Sequence, residues 1–358
     1  MKSRALGQLF IFGFDGLNVN ADARRLLSKE LAAGVILFAR NVASLEQVVE
    51  LNREIMDLRT SQFAPLISVD QEGGRVARLK NICTPVPDMR RIGTLSQSQP
   101  DLPYRLGAMM AREMIALGFH LDFAPILDVD TNSLNPIIGD RSFACDAHTV
   151  ARIGALFING MQEAGLAACA KHFPGHGDTD IDSHLDLPIL RHDQSRIEAV
   201  ELVPFQASIK AGVASMMTAH ILIPALDAEF PATLSKAILQ NLLREKLRFD
   251  GVVFSDDLEM KAVADRYTMK EMIRLGLLAG VDAFLVCKEV AKIDEAISAL
   301  HELVDTGQVP LSRVEEALRR VANLKRRFLG APAPADLNEA KKIVRSKPHL
   351  ALAQNWTT

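Results

Sequence analysis

The chain has 358 residues, 48% hydrophobic and 24% charged, with a formal net charge of −3. That length allows one large α/β domain or two smaller ones, the composition is that of an ordinary soluble globular protein, and the charge excludes a basic field for nucleic acid. Four widely spaced cysteines (Cys83, Cys145, Cys169, Cys287) include no CxxC pair, which argues against zinc or redox cysteine chemistry. Cys169 and Cys287 fall in apolar runs and read as buried free thiols.

At the N-terminus Lys2 and Arg4 precede a weakly apolar stretch, 6–14. Gln8 and Asp15 interrupt or bound it and no small-residue cleavage site follows, so it reads as a first strand rather than a signal peptide. No segment reaches the roughly 18 continuous apolar residues that span a membrane, and a cytoplasmic location is expected.

Short apolar runs then recur, each followed by an amphipathic stretch: 9–14, 34–39, 65–69, 121–129, 167–170, 213–218, 251–254 and 283–287. Between them, Met109, Met110 and Met114, and later Ile238, Leu239, Leu242 and Leu243, repeat at helical spacing and predict core-facing helices. Ser312-Arg313-Val314-Glu315 fits a capping box that starts the last long helix, with Val314, Leu318, Val321 and Leu324 along one face. Gly330 and the Pro-rich run after it end that helix.

Eight β-then-α units without a Pro/Gly-rich linker predict an α/β fold, a single (β/α)8 TIM-type barrel over 1–330. Residues 331–358 read as a C-terminal tail, a terminal helix packed on the barrel. An open doubly wound sheet is the lesser option, because no GxGxxG fingerprint follows any strand.

A barrel places reactive groups where its strands end. Polar residues follow the apolar runs in that way: Asp15, Arg40 and Asn41, Asp70, Asp128 and Asp130, Lys171 and His172, His220, and Asp256 and Asp257. The densest case is 171–188, whose eighteen residues hold three histidines, four aspartates, a lysine and two glycines behind the buried-strand run 166–170. A core cannot hold so many titratable groups without strong pKa perturbation, so the loop reads as chemistry at a strand end.

Asp70, Asp182 and Asp256 can converge in one pocket, and a retaining glycosidase needs a carboxylate nucleophile with a separate acid/base nearby. Asp256 ends a near-continuous apolar strand, which would fix a nucleophile rigidly. Its neighbour Asp257 is expected to point the other way and to cap the following helix. Asp182 lies two residues before His184, close enough to orient the ring and raise its pKa toward operating pH. The rival is a zinc or iron site on His172, His176 and His184, which Lys171 beside His172 and the lack of HExxH pairing disfavour. Asp70 and Arg78 can fork-bind hydroxyls, Gly73-Gly74 lets backbone approach a ligand, and Arg141 is either a second clamp or a structural ion pair.

Together these segments resemble glycoside hydrolase family 3, specifically its single-domain bacterial β-N-acetylhexosaminidases. The pieces that carry the resemblance are 34–41 (GVILFARN), 68–75 (SVDQEGGR), 123–129 (FAPILDV), 139–143 (GDRSF), 171–188 (KHFPGHGDTDIDSHLDLP), 217–220 (MTAH) and 254–260 (FSDDLEM). KHFPGHG followed by DSH is the most specific of them.

The resemblance implies a (β/α)8 barrel and a retaining double displacement with no metal and no cofactor. It implies Asp256 as nucleophile, His184 as general acid/base with Asp182 as its partner, and Asp70, Arg78, Arg141, Lys171 and His172 as ligands of the terminal sugar. It further implies removal of β-linked N-acetylglucosamine from 1,6-anhydro-muropeptides during peptidoglycan recycling, by a cytoplasmic monomer with a small carbohydrate substrate and no nucleic-acid or membrane partner. The family's larger β-glucosidases carry a second domain with the acid/base glutamate, and the length of this chain favours the hexosaminidase branch. Phosphorolysis on the same site remains open, as do two other classes: a metal-dependent hydrolase and a non-catalytic sugar-binding barrel.

Overall fold

The structure is a computed structural model that describes residues 3–60, 63–179, 183, 185–330 and 335–357. Eight parallel strands close into a barrel: β1 (Phe10–Phe12), β2 (Gly34–Leu37), β3 (Leu66–Val69), β6 (Leu121–Asp122), β7 (Ala167–Phe173), β8 (Ser215–Thr218), β9 (Val252–Asp257) and β10 (Ala283–Val286), with β10 pairing back onto β1. A hairpin of β4 (Gln71–Gly73) and β5 (Val76–Ala77) stands on the end of β3. The fold is the expected (β/α)8 barrel, and each predicted apolar run overlaps one barrel strand, with β7 and β9 each extending three residues beyond theirs into polar sequence. These strands read as unbroken apolar runs because both of their faces are covered. Ile11, Ile36, Leu121, Phe123, Phe254 and Leu285 fill the barrel interior, while Val35, Leu37, Val69 and Val253 pack outward against the helices. Inside, Phe123 meets Phe254 edge to face at 5.4 Å, two residues below Asp256.

The predicted helices form, with differences at their ends. The methionine-bearing helix spans Leu102–Leu117 and ends on Gly118 at φ +94, a left-handed position suited to glycine. The next prediction corresponds to the helix Ala237–Lys246. The last long helix begins at Leu311, after Pro310, and no side chain caps it. Ser312 is therefore its second residue and cannot form the expected capping box; the fixed φ of Pro310 sets the entry instead. The tail is two helices, Leu337–Ile343 and Lys347–Thr357. Val344 turns extended and Arg345 adopts φ +52 between them, so one continuous tail helix is not what forms.

At the N-terminal face, fully buried Asp282 holds the barrel floor to that long helix. Its carboxylate takes Arg244 at 2.5 Å, Arg313 at 2.8 Å, Arg320 at 3.4 Å and the Val253 amide at 3.0 Å. Removing the anion leaves three guanidinium groups without their shared partner. Asp282→Ala is expected to lower stability by about 3–5 kcal/mol, the usual loss when one member of a buried ion pair is deleted. Denaturation midpoints check this, and a loss below about 1 kcal/mol would mean that water replaces the carboxylate without difficulty.

Candidate active site

A cavity of about 260 Å³ opens at the C-terminal ends of the strands, and Asp70, Arg78, Arg141, Lys171, His172 and Asp256 all line it. Asp182 and His184 lie outside the described residues. Ser183, between them, is buried, lines the same cavity and accepts the Ala262 amide through its carbonyl at 3.2 Å.

Four charged groups make one wall. Lys171, buried, donates to Asp70 at 2.8 Å and contacts Glu72 at 2.7 Å. Arg141 forks onto both oxygens of Glu72, each at 2.8 Å. Two cations and two carboxylates leave no net charge, which makes burial of the set tolerable. Burial opposes ionisation of Glu72, but Lys171 and Arg141 outweigh it and hold the carboxyl far below the usual range. The same partners hold Lys171 and Arg141 above their usual values, although burial pulls both down. Glu72 was not among the residues singled out from the sequence. Its signal is the position two residues after Asp70, since alternate residues of an extended chain share a face.

A second buried carboxylate, Asp128, sits behind the histidines. It accepts His172 Nδ1 at 2.7 Å, the His172 amide at 3.2 Å and the His176 amide at 2.7 Å. Burial opposes its ionisation, yet the two histidines bring its pKa below the ordinary value. His176 has Nδ1 on the Thr179 hydroxyl at 2.6 Å and Nε2 facing Ser183 at 3.4 Å, and burial lowers it to about 4. Each ring thus has its Nδ1 on a protein group, Asp128 for His172 and Thr179 for His176. Among the described residues, the three groups with metal-type ligand atoms close together are Asp178, His192 and Glu201. Arg196 reaches both carboxylates there, Glu201 at 2.7 Å and Asp178 at 3.3 Å.

Asp256 is the carboxylate at the centre. Its Oδ1 accepts the Asp257 amide at 2.8 Å. Burial raises its pKa, but the facing His172, His220 and Lys171 prevail and it lies below the ordinary carboxylate value. His220, from the end of β8, is buried behind it, donating through Nε2 to the Asp257 carbonyl at 3.1 Å with Nδ1 on Thr233 at 2.8 Å. His220 and Asp128 supply the cavity's supporting shell, which strand position alone had marked only as polar.

Asp257 departs from expectation. It lines the same cavity as Asp256 instead of pointing away. The register explains this: Phe254 faces Ala283 and Asp257 faces Leu285, so β9 carries an extra residue against β10. Such a bulge breaks the strict alternation of side chains. Nor does Asp257 cap the next helix, Lys261–Ala264, which Met260 precedes. Its Oδ1 accepts the amides of Glu259 at 3.1 Å and Cys287 at 3.2 Å, tying the end of β9 to β10. A similar shift in β7, where Ala170 faces Met216 and Phe173 faces Thr218, lets adjacent Lys171 and His172 both reach the cavity.

Arg78 comes from the segment after β5, its guanidinium 5.9 Å from the Phe38 ring. Its buried Nε has no hydrogen-bond partner among the described residues. An unpaired buried donor at a cavity wall suits a polar ligand. The arrangement as a whole offers an ionised carboxylate on a rigid strand facing a neutral cradle of charged hydrogen-bonding groups.

Residues 3–324 match the Glycosyl hydrolase family 3 N terminal domain. The chain is 39% identical over 340 residues to a β-hexosaminidase of Thiobacillus denitrificans, covering 94% of this chain and 91% of that protein. It is 37% identical over 349 residues to one of Chromobacterium violaceum, covering 94% of each. Among solved structures, a glycoside hydrolase family 3 β-N-acetylglucosaminidase from a Paenibacillus species superimposes with TM-score 0.94 at 38% identity, over 99% of this chain and 67% of that one. NagZ from Neisseria gonorrhoeae, in complex with N-trifluoroacetyl-D-glucosamine, gives TM-score 0.82 at 30% identity over 97% and 96%.

Burial, together with the charges of Glu259 and Asp256, pushes the Asp257 carboxyl up to about 6. An acid raised above its unfolded value of about 4 binds more protons when folded, so stability from this group falls as pH rises from about 4 through about 6. Asp257→Asn should therefore gain on the native protein in denaturation midpoint between about pH 5 and about pH 7.5. An equal difference at both pH values would show that the carboxyl does not titrate in that window.

Proposed function

We propose, because this chain belongs to glycosyl hydrolase family 3 and is a glycoside hydrolase of the β-hexosaminidase kind, that it removes terminal β-linked N-acetylglucosamine by a retaining double displacement. The observation that carries the reading is Asp256: a half-buried carboxylate held in its ionised form at the end of β9, facing the cavity. Its Oδ1 is occupied by the Asp257 amide, and among the described residues Oδ2 accepts no bond. Oδ2 attacks the anomeric carbon and the glycosidic bond to the leaving oxygen breaks, giving a covalent glycosyl-aspartate. His184, oriented by Asp182, gives its proton to that oxygen. It then takes a proton from the water that attacks the anomeric carbon and releases Asp256.

Asp70, Arg78, Arg141, Lys171 and His172 hold the sugar. In the cradle, Lys171 occupies one oxygen of Asp70 and Glu72 takes both donors of the Arg141 fork, which leaves Asp70 Oδ2 and the Arg78 guanidinium as the main groups for sugar hydroxyls, beside the remaining N–H groups of Lys171 and Arg141. The likeness to NagZ bound to an N-acylglucosamine and to β-hexosaminidases supports a terminal N-acetylhexosamine as the sugar removed; a 1,6-anhydro-muropeptide as its natural carrier, within cytoplasmic peptidoglycan recycling, is the extension that the family resemblance carries. The barrel, 1–330, with its tail, 331–358, is proposed to act as one catalytic domain and as a monomer.

Hydrolysis of an aryl β-N-acetylglucosaminide, with the aryl β-glucoside and added phosphate as comparisons, tests the reaction. The N-acetyl sugar should be the better substrate, and release of the sugar 1-phosphate in place of the free sugar would convert the reading to phosphorolysis. Asp256→Ala should lose activity on the order of 10³-fold or more while remaining folded, and a 2-fluoro glycosyl substrate should label Asp256; a label on Asp257 would overturn the assignment. His184→Ala should impair substrates with poor leaving groups far more than activated aryl glycosides, because a good leaving group needs little protonation. Equal losses on both would remove His184 from the acid/base role.

A further inference from the structure

The hairpin arm that carries Glu72 and Arg78 is anchored at both ends by buried carboxyls that take no part in the proposed chemistry. At its start, Asp122 accepts the Gln71 amide at 2.9 Å, and Gln71 Oε1 accepts the Leu79 amide at 2.9 Å. At its far end, Glu113 accepts the Thr84 amide at 2.7 Å and the Thr84 hydroxyl at 2.6 Å. Glu113 also accepts the Arg345 amide at 2.9 Å and His349 Nδ1 at 2.8 Å, both from the C-terminal tail.

The tail reaches the arm directly as well. Arg345 donates to the carbonyls of Cys83 at 2.9 Å, Asn81 at 3.1 Å and Lys80 at 3.3 Å. Trp356, buried, donates its indole N–H to the Pro85 carbonyl at 3.0 Å, and its own carbonyl accepts from Arg91 at 3.1 Å. From Pro85 the contact passes one residue on to Val86, whose carbonyl accepts the Gly74 amide at 3.1 Å. Gly73, at φ +111, lies so close to this segment that an added Cβ would meet the Pro87 carbonyl at 2.7 Å. The next helix, Met89–Leu95, supports the other clamp: Arg90 donates to the Gly139 carbonyl at 3.2 Å and the Ser142 carbonyl at 3.3 Å, on either side of Arg141.

We infer that the C-terminal helices brace the sugar-binding wall, with Arg345 and Glu113 as positioning residues that set Glu72, Arg78 and Arg141 through the segment 80–91. The inference rests on the reading of that wall as the sugar cradle. Among the described residues no hydrogen bond of the brace reaches β9, so loosening it should weaken sugar binding more than it slows the chemical step. Coupling carried through packed groups of this kind is a few-fold to tens-fold effect.

The chain has a single tryptophan, Trp356, seated on the brace, so its emission reports the coupling. Titration of the native protein with N-acetylglucosamine should shift that emission with a midpoint equal to the sugar's competitive inhibition constant. Arg345→Ala should weaken N-acetylglucosamine binding and raise KM about 10-fold, with kcat within about 3-fold, and Arg345→Lys should recover part of the loss. An unchanged binding constant in folded Arg345→Ala overturns the brace. Should Arg345→Ala fail to fold, the native titration decides, since saturation without an emission change also overturns it. A native protein that neither hydrolyses a β-N-acetylglucosaminide nor is inhibited by the sugar overturns the reaction reading and the brace together. One that does both, with Arg345→Ala unaffected, overturns the brace alone.

Discussion

Lys171 lies at the point on which the site depends. A buried ammonium is several kcal/mol uphill unless carboxylates surround it, and here Asp70 and Glu72 do so at 2.8 and 2.7 Å. Glu72 in turn requires Arg141 to complete it. The four groups come from the end of β3, from β4, from the end of β7 and from the turn at 139–141. Asp70 and Glu72 stand two residues apart, but Arg141 and Lys171 are distant from them and from each other in sequence, so closing the set ties the end of β3 and its hairpin to the turn at 139–141 and to the end of β7. Ligand binding then needs no reorganisation of charge, since the donors and acceptors are already aimed.

Local register decides which side chains reach that cavity. The ends of β7 and β9 each carry an extra residue against a neighbour. Ordinary pleating would send one of Lys171 and His172, and one of Asp256 and Asp257, into the helix layer. The bulges bring both members of each pair to the mouth. Sequence alternation could not show this, because a bulge is set by pairing with a strand dozens of residues away; hence the wrong expectation for Asp257. What was legible was the run of apolar strands and the polar residue ending each one, because a buried parallel strand has to be apolar on both faces.

The same distinction separates the residues found from those missed. Asp70, Arg78, Arg141, Lys171, His172 and Asp256 stand in compact motifs, and they do converge on one cavity. Glu72, which only its spacing from Asp70 marks, and Asp128, which only its place at a strand end marks, act through partners 69 and 44 positions away in the chain, and local position does not say what either bonds. The capping box at Ser312 failed for a related reason: Pro310 opens the helix two residues earlier without a side-chain cap. The break in the tail at Val344 and Arg345 likewise follows from tertiary bonds, since the Arg345 amide and side chain are both committed to Glu113 and to the segment 80–83.

Rigid and adjustable parts of the site are therefore built differently. Asp256 rides on β9, whose Phe254 is locked against Phe123 inside the barrel and whose neighbours His220 and Asp257 are bonded across β8 and β10. The arm bearing Glu72 and Arg78 lies outside the barrel sheet, held by the ion pairs of Glu72 and by hydrogen bonds to Asp122, Glu113 and the tail. A displacement of the arm can change how a ligand is held without moving the carboxylate on β9, whereas a displacement of β9 would have to disturb the barrel interior itself. Changes far from the cavity, in the tail or in the helix Met89–Leu95, consequently act on one wall of the site and leave the other in place.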